Sequence, residues 1–273
     1  MTITVEHLSE TPEYRYDMPE EELRQLATEL LTEREPITND RFVCYELDGS
    51  EKAANLGRVV ERSVFEKRFE HTSEEMKQEY GEYERNSTFF VTLDRVTSLP
   101  VGAVRAITAS PELGERSFKS VNDLVEIGPP NPPYPHTQAE IFQHYGIDDP
   151  RKCWDIGTAA VLPGYGGGEV SSQIYRAMWV ASQRHGVEHF FSMIARKPYE
   201  MMELVGFPFE KIYDADWVSY LNSESLPVYG AAPTFDEAVR QQEARTGADL
   251  MPFLHDSFRV LGHGDHDDAL MLR

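Results

Sequence analysis

The chain has 273 residues and a net charge of −21, from 26 basic and 47 acidic side chains. So acidic a surface repels phosphate backbones and anionic lipid, which argues against a general nucleic-acid or membrane-surface role. The composition, 40% hydrophobic and 27% charged, is that of a globular protein rather than a disordered one.

No uncharged apolar run reaches the ~20 residues of a membrane span. The opening Met1-Thr-Ile-Thr-Val-Glu-His lacks the basic and apolar regions of a secretory signal. Cys44 and Cys153 are the only cysteines, which fits a reducing compartment. A cytoplasmic protein is the expectation.

Residues 1–40 hold 11 acids and 3 bases. They read as an acidic, solvated N-terminal extension with one amphipathic helix, opened by Asp17-Met-Pro-Glu20 and carrying Leu23, Leu26 and Leu30. A second helix is predicted over 52–68. Leu56, Val59, Val60, Val64 and Phe65 form its apolar face, with Arg58, Arg62, Lys67 and Arg68 on the remainder. Thr72-Ser-Glu-Glu75 is a capping box for a short helix. Phe89–Leu93 and Val101–Ile107 predict a hairpin. Residues 128–150, starting Gly128-Pro-Pro-Asn-Pro-Pro-Tyr-Pro135, read as a Pro-rich insertion.

Cys153–Val161 reads as a strand. Leu162–Gly168 is a glycine-rich turn, Val170–Arg184 a helix and Val187–Ile194 another strand. Pro198–Val205 is a helix stopped by Gly206. A last strand near 227–232 and a helix to about Thr246 close a domain of 41–246, and 247–273 reads as a tail. The order strand, glycine turn, helix, strand, helix is an α/β signature. It predicts a mixed twisted sheet flanked by helices.

A glycine turn feeding a helix N-terminus directs exposed N–H groups and the helix dipole at one spot, which suits a phosphate. Gly166, Gly167, Gly168, Ser171, Ser172 and the strand end Val161 are the candidate cofactor-binding residues. A plain tight connection explains the turn equally. Asp155, within the apolar run Cys153-Trp-Asp-Ile-Gly157, needs a partner or stays protonated. Arg105 is the expected partner, or else a fork for an acceptor carboxylate. A structural ion pair accounts for both residues equally simply. Glu84 is either a site acid or an ordinary surface acid. His189 and Cys153 read as core. The stretch Gly262-His-Gly-Asp-His-Asp-Asp268 reads as an acidic tail, so no metal site is predicted.

Taken in order, these elements resemble the GNAT superfamily of N-acyltransferases. The branch they look most like is that of the acyl-homoserine-lactone and long-chain N-acyl amino acid synthases. The resemblance covers roughly 52–232 and rests on Gly102-Ala-Val-Arg105, Trp154-Asp155, the turn after Val161-Leu-Pro163 and Gly206-Phe207. It implies acyl transfer from acyl-CoA or acyl-carrier protein to the amine of a small amino-acid-like acceptor. The thioester is then a cosubstrate and no cofactor stays bound. Asp155, Arg105 and Glu84 become the candidate catalytic residues. Arg58, Arg62, Lys67 and Arg68 would form the basic patch that a carrier protein needs. Three positions depart from the family pattern. Glu169 opens the helix where a pyrophosphate would sit, Met202 replaces the tyrosine acid, and Thr158 replaces the synthases' second arginine. A non-catalytic GNAT-like binding module and a GNAT fold turned to other biosynthetic chemistry are the alternatives.

Overall fold

Successive side chains of a strand point to opposite faces, and here both faces are apolar. Val43, Tyr45 and Leu47 alternate with Phe42 and Cys44, and all five are buried. A sheet of this kind must be covered on both sides. The computed structural model describes residues 13–128, 137–166, 168–204 and 206–247, and it shows helices on both faces of one eight-stranded sheet.

The strands are β1 (Phe42–Asp48), β2 (Ser87–Asp94), β3 (Leu99–Ile107), β4 (Cys153–Val161), β5 (His189–Ala195), β6 (Glu210–Lys211), β7 (Val218–Tyr220) and β8 (Ser223–Ala231). Their order is β1-β2-β3-β4-β5-β8-β6, with β7 paired to β8. All pairs are antiparallel except β4–β5.

Helices α1 (Glu20–Glu33), α2 (Asn55–Phe69), α3 (Ser73–Tyr80), α4 (Lys119–Ile127) and α5 (Gln138–His144) precede β4, and α6 (Glu169–His185), α7 (Arg196–Leu204) and α8 (Ala232–Thr246) follow it. Val60, Val64, Met76 and Tyr80 pack α2 and α3 on Ala103, Ile107 and Ala160. From the other face, Val170, Ile174 and Ala177 pack α6 on Cys44, Phe90, Val104 and Trp154. Gly102 permits this close approach. A Cβ there would lie 2.5 Å from Val170 and 2.9 Å from Ile174.

Three expectations change. The described part of the N-terminal segment is not a solvated extension: Leu23, Leu26, Ala27 and Leu30 bury α1 in the same core as β1 and β2, and Tyr16 is 1% exposed. The described part of the insertion is more than a loop: it carries α5, whose Ile141 and Phe142 pack with Phe118 and Phe191. Arg58 is wholly buried rather than on the surface of α2. Residues 248–273, with the His/Asp stretch, lie outside the described residues. Among the described residues no helix is long and apolar enough to cross a membrane.

Candidate active site

The parallel ladder between β4 and β5 runs only from Cys153↔His189 to Ile156↔Ser192. Beyond it β4 continues to Val161 and β5 to Ala195 without pairing to each other. The strands part because their outer edges are held by different partners, β3 on one side and β8 on the other. A register shift in β4 opposite Arg105/Ala106 marks a bulge at Gly157–Thr158, and such a bulge bends a strand away from its neighbour.

An apolar cavity of about 190 Å³ fills the gap. Ile156, Gly157, Thr158 and Ala159 of β4 line it, facing Phe191, Ser192 and Met193 of β5. From the α2 side come Val64, Phe65, Arg68 and Phe69, with Tyr220 and Leu221 at the end of β7. From the α6 side come Tyr175, Met178 and Trp179, closed by Met202, Phe207 and Phe235. The cavity therefore passes through the sheet. Its two tyrosines have strongly raised pKa values. Burial pushes Tyr175 up to about 12. Burial, with the neighbouring Tyr80 and Asp123, raises Tyr220. Tyr220 donates its hydroxyl hydrogen to Asp123, which holds Lys119 at 2.6 Å.

Arg105 and Glu84 come together; Asp155 stays apart. The Arg105 guanidinium is fully buried and bonds Glu61 through Nε (3.1 Å) and Nη2 (2.7 Å). Glu84 lies 3.3 Å from it. The same Nη2 donates to the Tyr16 hydroxyl (2.9 Å), and that hydroxyl donates to Glu84 (2.5 Å). Arg58 Nε also reaches Glu84, at 2.9 Å. Burial opposes the Glu84 charge, but Arg105 and Arg58 outweigh it and hold the carboxyl below its usual range.

The expected Arg105–Asp155 pair does not form. Arg105 stands opposite Thr158, and Glu61 of α2 takes its donors; Asp155 stands opposite Ile107. Asp155 instead accepts from the Ser120 N–H (2.6 Å) and the Ser120 hydroxyl (2.5 Å), which ties α4 to β4. Burial pushes its carboxyl up to about 7, against those hydrogen bonds. None of Asp155, Arg105 and Glu84 lines the cavity.

Val161 pairs with Gly102 at the end of β4, next to the glycine turn. Gly168, at φ +95°, caps α6 in a conformation that favours glycine. Ser172 N–H bonds back to Gly168 O (2.8 Å) and its hydroxyl to Glu169 O (2.8 Å). Gly166 is exposed, Ser171 is half-buried, and Gly167 lies outside the described residues. Arg41, paired with Asp94 at 3.0 Å, is close enough to Glu169 for their charges to interact. The foreseen basic patch shrinks, since Arg58 is internal and Arg62 pairs with Asp17 and Glu66. Among the described residues no cluster of three or more His, Cys, Asp or Glu could hold a metal.

Sequence reasoning missed Glu61, Thr158 and Tyr220. Glu61 has a visible signal, because it stands three and four residues before Val64 and Phe65 on the apolar side of α2. Thr158 and Tyr220 had none beyond the departure from arginine at 158.

A mixed sheet whose parallel pair parts around a cavity, with a glycine turn leading into the following helix, is the GNAT fold. A solved structure shares it. FeeM, an N-acyl amino acid synthase from uncultured soil microbes, superposes with a TM-score of 0.54 at 12% identity, covering 76% of this chain and 99% of that one. A putative N-acetyltransferase from Lactobacillus plantarum gives a TM-score of 0.46 at 10% identity, over 71% of this chain and 99% of its own. The CoA-dependent acyl-homoserine lactone synthase MesI gives 0.43 at 13% identity, over 76% and 96%. No protein-family model matches the sequence, and no curated protein matches it.

Proposed function

We propose that the protein transfers an acyl group from an acyl thioester to the amine of a small amino-acid-like acceptor. The observation that carries this reading is the apolar cavity through the β4–β5 gap. A slender apolar chain with a polar tail fits such a slot. The inner edge of β4 past Ile156 has no strand to pair with, so its backbone N–H groups are free to meet the oxygen of a thioester as charge develops there.

In this reading the acyl chain occupies the aromatic half, between Trp179, Phe207 and Phe235. The acceptor enters from the half bounded by Thr158, Arg68 and Tyr220. The amine's own proton can pass to the leaving sulfur, so the step balances without a tyrosine acid: burial holds the Tyr175 proton firmly and the Tyr220 hydroxyl hydrogen is given to Asp123. Buried away from the cavity and paired with one another, Arg105 and Glu84 act in this account through the scaffold, as does Asp155. Acyl-CoA asks less of this surface than an acidic carrier protein, because Arg58 is internal and Arg62 is paired, which leaves Lys67 and Arg68 of the α2 patch.

The test is incubation with decanoyl-CoA and a mixture of amino acids, followed by mass spectrometry. An N-decanoyl product and free CoA in equal amounts support the reading. Binding of decanoyl-CoA without any product would favour the non-catalytic module instead.

A further inference from the structure

Thr158 lines the cavity, yet its hydroxyl hydrogen is already committed. It donates to Glu61, a fully buried carboxylate on α2. Glu61 cannot turn away, because Arg105 grips both its oxygens, at 3.1 and 2.7 Å. Arg105 is in turn held by Tyr16 and Glu84 and lies between the rings of Tyr80 and Phe89, each 4.6 Å away. The bulge is pinned from the same side, where the Tyr80 hydroxyl donates to Gly157 O at 3.2 Å.

A hydroxyl is ordinarily ambivalent, since it rotates to donate or accept as its partner requires. Here that freedom is gone. What Thr158 can offer a ligand in the cavity is lone pairs, and the group that suits lone pairs is an N–H. We propose that Thr158 is the residue that receives an N–H of the acceptor nitrogen, with Glu61 and Arg105 as positioning residues that fix its polarity. This inference rests on the acyl-transfer reading and adds to it. The bond from nitrogen to Thr158 orients the remaining lone pair of the amine, and the same bond persists in the amide product. An acceptor atom without hydrogen would meet Thr158 lone pair against lone pair, so an ester product is disfavoured at this site.

The experiment compares N-decanoylglycine with the matching ester, O-decanoylglycolic acid, by calorimetric titration. The two differ only in N–H against oxygen. The intact chain should bind the amide about tenfold more tightly, the worth of one neutral hydrogen bond. Thr158→Val keeps the shape and leaves Glu61 with both Arg105 bonds; it should abolish the preference. Thr158→Ser should restore it. Decanoyl-CoA should bind all three proteins alike. Glu61→Gln should also lose the preference, because an amide NH₂ facing Thr158 would turn its hydrogen toward the cavity. Where that variant does not fold, the Thr158 pair decides. Equal binding of amide and ester to the intact chain, or a preference that survives Thr158→Val, overturns the inference while leaving a decanoyl-CoA site in place. If neither decanoyl-CoA nor the amide binds, the acyl-transfer reading falls as well.

Discussion

Arg105 and Glu61 form a two-point ion pair in the interior, with both side chains fully buried. Removing one partner leaves the other charged and out of water, which costs about 3–5 kcal/mol. Arg105→Ala should therefore lower unfolding stability in urea by that amount. Arg105→Lys should lose part of it, because an ammonium cannot reproduce the planar fork. Unchanged midpoints in both variants would show that the pair contributes nothing to the scaffold.

Asp155 gives a pH signature. Its folded value of about 7 lies above the ~4 of an unstructured chain. Protonation therefore favours the folded state. The contribution is complete below about pH 4 and is lost as pH rises through about 7. Asp155→Asn mimics the protonated acid and can keep both bonds to Ser120. The variant should melt above the parent at pH 8 and close to it at pH 4. Parallel melting curves across that range would contradict the assignment, and a large fall in turnover with unchanged stability would return Asp155 to the chemistry.

Much of the fold is legible in local pattern. The hairpin, β4, α6 and β5 each carry a dense or periodic apolar run, and the capping box at Thr72 forms as written. Thr72 Oγ1 accepts from Glu75 N–H at 3.3 Å, and the Thr72 N–H donates to the Glu75 carboxylate at 2.7 Å. The site was less legible, because its charges find partners far along the chain. Arg58 reads as a surface base until Glu84 is brought to it by the packing of α2 against the segment before β2. Asp155 signals a buried carboxylate correctly, but nothing local says that its partner is Ser120 rather than Arg105. The bulge that aims Thr158 at Glu61 leaves no mark in the sequence beyond Gly157, where a Cβ would lie 3.0 Å from Ile107.

Gly102 couples the sheet to α6 and so to the glycine turn. Gly102→Ala pushes against Val170 and Ile174 and should cost about 1–3 kcal/mol as α6 lifts from β3. The melting temperature should fall, and decanoyl-CoA affinity with it, since the turn at the N-terminus of α6 moves too. Loss of stability without loss of affinity would separate the turn from the donor site.

The central claim is that the β4–β5 gap holds the acyl donor, and Ala159 tests it most directly. It lines the cavity and is exposed, so a larger side chain there obstructs the slot without crowding the core. The measurement is calorimetric titration of decanoyl-CoA into the intact chain and into Ala159→Trp, with melting temperatures alongside. The account predicts binding to the intact chain and an affinity at least tenfold weaker in the variant, at equal melting temperature. Equal affinity in the two proteins, or no binding to the intact chain, would contradict it.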